Sequence, residues 1–238
     1  MRKLIITVLF VFMPLMGMAS TGDVHLDHIE LDLQNKASLQ SGLKTFVNYC
    51  MGCHSARFSR YERVADDLGI PHEAMLENLT FGGEKIGSLM DKSMTSSAAK
   101  IWFGAPPPDL TLVARVRSPD WLYTYMRSFY RDEDRVWGVN NLTFPNVGMP
   151  HVLEGLQGVQ QCVADADGHC EQLKITRPGS MSTQEYDKTI YDLVNFLEYL
   201  GEPMVLKRQS LGVKVLIFIL FLSIFVYLLN REYWKDIH

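Results

Sequence analysis

The run Cys50-Met51-Gly52-Cys53-His54 constrains this chain more than any other feature. Two cysteines separated by two residues and followed by histidine read as covalent haem attachment. At this spacing each thiol can form a thioether with a haem vinyl group, and the adjacent imidazole falls under the iron as the proximal ligand. Two other readings compete. A thioredoxin-like redox pair needs a surrounding βαβ pattern, which the sequence lacks. Half a zinc site needs two more ligands nearby, and the remaining cysteines, Cys162 and Cys170, lie far along the chain. Those two read instead as a disulfide closing a small polar loop in an oxidising compartment, with free thiols as the alternative.

Both ends of the 238-residue chain are apolar, for different reasons. Met1-Arg2-Lys3, the apolar run Leu4 to Phe12 and the small residues Gly17 and Ala19 form the three parts of an export signal, so residues 1–19 are expected to be removed. Loss of Arg2 and Lys3 moves the net charge from -4 to about -6. Leu211 to Leu229 is apolar on every side apart from Lys214 and Ser223, and its length fits one membrane crossing. Lys214 can snorkel to one interface, and Tyr227 and Trp234 suit the other. The expected order is signal peptide (1–19), exported domain (20–210), transmembrane anchor (211–229) and a cytoplasmic tail (230–238). Such a chain sits in a bacterial inner (cytoplasmic) membrane as a single-pass protein with its main domain on the periplasmic side.

Between the ends, 47% hydrophobic and 21% charged residues support a packed core. The acidic balance, with no basic stripe, argues against a nucleic-acid partner and leaves room for a basic protein one. Helical spacing of Leu39, Leu43, Phe46, Val47 and Cys50 predicts a helix capped by Ser38 and leading into the cysteine motif. Ser118-Pro119 predicts a second helix, with Leu122, Tyr125, Met126 and Phe129 on one face. Ser182 and Glu185 form a capping box for a third, with its stripe at Tyr186, Ile190, Leu193, Val194, Leu197 and Leu200 and its stop at Gly201 and Pro203. Strand alternation is weak throughout. Gly- and Pro-rich stretches at 104–109 and 140–150 are long loops of the kind a large central cofactor would require.

The sixth iron ligand separates functions, because closed iron transfers electrons whereas open iron binds small molecules. Met51 sits inside the attachment loop, Met126 on a core face and Met204 beside the anchor. That leaves Met75, Met90, Met94, Met149 and Met181. Met149 stands out in Asn146-Val147-Gly148-Met149-Pro150, where glycine permits close backbone approach and proline stiffens the turn. Met181 is the runner-up, and His151 a weaker candidate.

The order of Cys50 to His54, Gly104-Ala105-Pro106-Pro107-Pro108-Asp109-Leu110-Thr111, Gly148-Met149-Pro150 and one C-terminal membrane helix resembles the cytochrome c1 family, the haem subunit of the cytochrome bc1 complex (ubiquinol–cytochrome c oxidoreductase). The resemblance covers nearly the whole chain after the signal. It departs mildly at Leu110-Thr111, where the family commonly has Leu-Ser, and insertions found in some relatives are absent. It implies a mainly α, cytochrome c-like haem domain with long loops plus one C-terminal transmembrane helix. It implies one covalent haem c, with His54 and Met149 as axial iron ligands and Pro107 and Pro108 shielding the ring. Arg117 would pair with a haem propionate, with Tyr123 as a second propionate contact. The implied partners are cytochrome b, a Rieske iron–sulfur protein as electron donor and a soluble cytochrome c as acceptor, within a dimeric multisubunit complex. Such a subunit is an electron carrier with no acid, base or nucleophile of its own. Rival readings are a membrane-anchored cytochrome c feeding a terminal oxidase and, less favoured, a haem peroxidase or gas sensor, both of which need open iron.

Overall fold

A computed structural model describes residues 25–164 and 170–235. The expected signal peptide and the last three residues of the tail lie outside the described residues. Helix α1 (Lys36–Thr45) continues without a break into a π-helical turn, Phe46–Cys50, that delivers the chain to the cysteine motif. The amide of Met51 donates back five residues to the Phe46 carbonyl at 3.0 Å, the wider spacing of a π turn. The cap of α1 is Asn35, whose side chain accepts from the Ser38 amide, and not Ser38 itself. Ser38 is inside the helix and buried, because its hydroxyl is needed elsewhere: it donates to Asp192 at 2.6 Å.

Strand β1 (Ala56–Arg60), helices α2 (Tyr61–Leu68) and α3 (His72–Asn78), strand β2 (Leu89–Met90) and helix α4 (Ser96–Phe103) follow the motif. Then come α5 (Val113–Arg117) and α6 (Pro119–Arg127), with Ser118 accepting from the Trp121 amide and Pro119 in the first turn, as the sequence predicts. Strands β3 (Phe129–Arg131) and β4 (Val139–Asn141) lead to α7 (Glu154–Gln157), the hairpin β5 (Gly158–Ala164) and β6 (Cys170–Pro178), the long helix α8 (Thr183–Gly201) and finally α9 (Val205–Tyr233). The strands form three separate antiparallel pairs, β1–β2, β3–β4 and β5–β6. The β5–β6 hairpin is the largest departure from the sequence reading. Cys162 and Cys170 are joined as a disulfide across it.

The core forms where α1 and α8 cross, with α5 and α6 also against α8. A Cβ on Gly42 would run into the Asp192 carbonyl oxygen and meet the Phe196 Cβ at 2.6 Å, so only glycine permits this backbone approach. One turn on, Phe46 and Phe196 meet with ring centroids 5.8 Å apart. Leu43, Phe46, Ile190, Leu193, Phe196 and Leu200 are all fully buried, each contributing about 1.5–3 kcal/mol relative to exposure. A polar pin crosses the same interface: Asn195 donates to Ser38 Oγ at 3.0 Å, and Lys188 covers Asp192 at 2.8 Å. The predicted capping box at Ser182 and Glu185 is complete.

Helix α9 is different in kind. None of its 29 residues is buried, and it is apolar all round. At 1.5 Å per residue it is about 43 Å long, longer than the ~30 Å hydrocarbon layer of a bilayer. It starts before and ends after the expected 211–229 span, so its ends carry the polar Lys207, Arg208 and Arg231.

Candidate functional site

The π turn ends at Cys50, and the amides of Cys53 and His54 both bond to the Cys50 carbonyl, closing the motif into a tight turn. Cys50 and Cys53 are free thiols. Burial, aided by the neighbouring Cys53, pushes the Cys50 thiol up to about 12. A thioredoxin-like nucleophile needs the opposite, a depressed thiol. Among the described residues no three His, Cys, Asp or Glu side chains converge as a zinc set would.

The Pro-rich stretch folds directly against this turn. His54 Nδ1 lies 2.8 Å from the Pro108 carbonyl oxygen, which can only accept, so Nδ1 carries the proton and Nε2 is left with its lone pair. Burial holds the imidazole below its ordinary range against the opposing Pro108 bond, keeping it neutral. A neutral imidazole with one nitrogen fixed by a carbonyl and the other unprotonated is the form that ligates a metal.

Asp109 ties the two segments together. It accepts from the Ser55 hydroxyl at 2.7 Å, the Arg57 amide at 2.8 Å and the Thr111 amide at 2.9 Å, and the Leu110 amide bonds to the Ser55 carbonyl. Burial works to raise the Asp109 carboxyl, but hydrogen bonds from Thr111, Arg57 and Ser55 outweigh it and hold the group below its usual value. Pro107 is partly buried, and its carbonyl receives Lys92 Nζ at 3.4 Å.

A second cluster surrounds Met149. Its sulfur accepts from the Tyr125 hydroxyl at 3.4 Å. Tyr125 stacks on Trp121 at 4.8 Å, with the planes 9° apart, and meets Phe129 edge-on at 5.1 Å. The Arg117 guanidinium lies over Trp121 (5.0 Å) and Phe144 (5.6 Å) and, among the described residues, has no carboxylate partner. Arg115, by contrast, pairs with Glu202. Tyr123 projects from another face of α6, where the Arg127 guanidinium covers its ring at 4.5 Å and Asp187 and Asp27 hold that arginine. The structure therefore groups Arg117 with the Met149 cluster and Tyr123 with Arg127.

The loop that carries Met149 is hung on two buried asparagines. Asn141 Oδ1 accepts from Ser128 Oγ and the amides of Thr143 and Phe144, while its Nδ2 donates to the Tyr125 carbonyl at 2.8 Å. Asn140 Oδ1 accepts from the amide of Asn146, which adopts a left-handed φ of 63°. The other sixth-ligand candidates lie in different surroundings. Met75 and Met90 are fully buried in the core, the Met94 amide bonds to the Gly52 carbonyl, and Met181 sulfur accepts from Thr189. His151 stacks on Phe129 at 4.7 Å and pairs through Nε2 with Gln157, and burial lowers it to about 4.

Comparison with known proteins now decides the family. Residues 29–237 match the model of the cytochrome C1 family. The chain belongs to the cytochrome C1 family. It is 50% identical to cytochrome c1 of Allochromatium vinosum across the full length of both chains. It is 44% identical to a Nitrosomonas europaea protein named ammonia monooxygenase gamma subunit, over 94% of each chain. A chain of a hyperthermophilic respiratory complex III aligns over all of both chains with a TM-score of 0.45 and 16% identity. Cytochrome c1 membership carries with it an electron-transfer role and a covalently bound haem c. The residues present fit that group: two free thiols at the attachment spacing and a neutral imidazole with Nε2 unprotonated.

Proposed function

We propose that this chain is the single-haem electron carrier of a bc1 complex, with Cys50 and Cys53 as the thioether attachment sites and His54 and Met149 as the axial ligands. The observation that carries the reading is His54 held by the Pro108 carbonyl, which fixes the tautomer a haem ligand needs. The stacked guanidinium of Arg117, without a carboxylate partner among the described residues, supports its role as a propionate partner. When bound, the haem supplies reversible one-electron chemistry. The protein's own work is to hold the ligands, exclude water and present an edge to partners.

A Rieske iron–sulfur protein is the proposed donor and a soluble cytochrome c the proposed acceptor, with α9 packed beside cytochrome b. The expected export signal and the apolar helix α9 support a periplasmic haem domain on a single-pass anchor.

The test is quinol-driven turnover in membranes. A quinol should reduce the c-type absorbance of this chain, added oxidised soluble cytochrome c should reoxidise it, and removal of the Rieske protein should abolish the first step only. Reduction that persists without the Rieske protein would refute the proposed donor. A haem that binds carbon monoxide in the wild type would refute the closed carrier.

A further inference from the structure

We propose that Tyr125 is a positioning residue that raises the reduction potential of the centre by donating a hydrogen bond to the Met149 thioether, an inference that rests on Met149 being the axial ligand. A thioether sulfur has two lone pairs, so one can bind a metal while the other accepts a hydrogen bond. The Tyr125 hydroxyl is the donor, at 3.4 Å, and Met149 is its only hydrogen-bond partner among the described residues. A buried hydroxyl keeps the partner it has, because leaving it unpaired in a dry site is unfavourable.

The surroundings fix the donor at both ends. Trp121 stacks flat on one face of the Tyr125 ring and Phe129 meets it edge-on, so the ring is packed from two sides. The Tyr125 carbonyl is held by Asn141 Nδ2, and the same asparagine's oxygen receives the Thr143 and Phe144 amides at the start of the Met149 loop. Donor and acceptor are thus anchored to one side chain, and their separation does not depend on the flexible thioether alone.

The electronic consequence has a definite sign. A donor on the second lone pair withdraws electron density from sulfur and weakens its donation to iron. Ferric iron needs that donation more than ferrous iron, so the bond favours the reduced state. On reduction one electron enters the iron, no bond is made or broken, and the proton stays on Tyr125.

The experiment uses the full-length haem-loaded chain in detergent, read by spectroelectrochemical titration. Wild type and Met149→Leu come first: loss of the far-red methionine-to-iron charge-transfer band in the variant confirms the ligand. Tyr125→Phe should then retain that band and titrate at lower potential, with the ferrous-to-ferric ratio at fixed ambient potential falling three- to tenfold, up to about 59 mV for one electron. An unchanged potential with the band retained would overturn the proposal while leaving the ligand assignment intact. A band insensitive to Met149→Leu would instead sink the ligand reading. If Tyr125→Phe fails to load haem, site-specific 3-fluorotyrosine at 125 strengthens the donor without removing it, and must raise the potential; no rise overturns the proposal.

Discussion

Asp109 shows how much one side chain can organise. Its carboxylate gathers donors from residues 55, 57 and 111, and so sets the distance between Pro108 and His54. Asp109→Ala should leave those donors unsatisfied, at a cost of about 1–3 kcal/mol, and slacken the His54 orientation. Thermal denaturation of the haem-loaded protein checks the first effect, and a broadened ligand-field signal in electron paramagnetic resonance the second. The acid dependence has a fixed sign. The folded carboxyl lies below its ordinary value of 3.8, so its contribution is complete above that value and is lost as pH falls through the lower folded value. The wild type should therefore lose stability faster than Asp109→Ala over that acid window; parallel slopes would remove Asp109 from the account. The aspartate stands in a conspicuous Pro-Pro-Asp-Leu run, yet its role was not legible there. Its partners lie more than fifty residues away for Ser55 and Arg57, and no local pattern encodes them. The same holds for Asn141, which reads in sequence as a loop residue and in the fold as a buried strut. The Cys50-Met51-Gly52-Cys53-His54 pattern is legible because it lies within five consecutive residues, and its role as the haem attachment site is part of the proposal.

At the scale of elements, the sequence marks helices by what they bury and by their caps. The capping box at Ser182 and the Ser118-Pro119 start are local signals, and both helices begin there. The β5–β6 hairpin gives no such signal. Val163 and Ile175 are exposed on it and the buried Gln160 is polar, spent on the Arg127 and Phe129 carbonyls, so no alternating apolar face exists to be read. The α1–α8 crossing is legible as two apolar stripes but not as a contact, since that depends on Gly42 facing Asp192 and Phe196. Gly42→Ala should force these helices apart and cost about 1–3 kcal/mol, more for Gly42→Val. Denaturant midpoints of the haem-loaded protein measure it. A Gly42→Ala midpoint equal to wild type would show that the crossing has slack the structure does not display.

At the scale of the molecule, two bodies with different solvents are joined at Glu202 to Met204. The globular part buries its apolar residues around α8, whereas α9 buries none. Ending the chain after Pro203 removes the helix together with the Arg208–Glu202 pair, an exposed contact of little energetic weight. The shortened protein should appear in the aqueous fraction, with its haem absorbance unchanged and its far-ultraviolet helix signal reduced. Retention in the membrane would mean that another surface of the globular part binds lipid or a membrane subunit.

A closed iron between His54 and Met149, as proposed, is open to absorption spectroscopy of wild type beside Met149→Leu. The oxidised wild type should show a weak far-red charge-transfer band that vanishes in the variant, while the covalent haem content stays the same. A wild type with high-spin, open iron, or a variant whose band is unchanged, would contradict it.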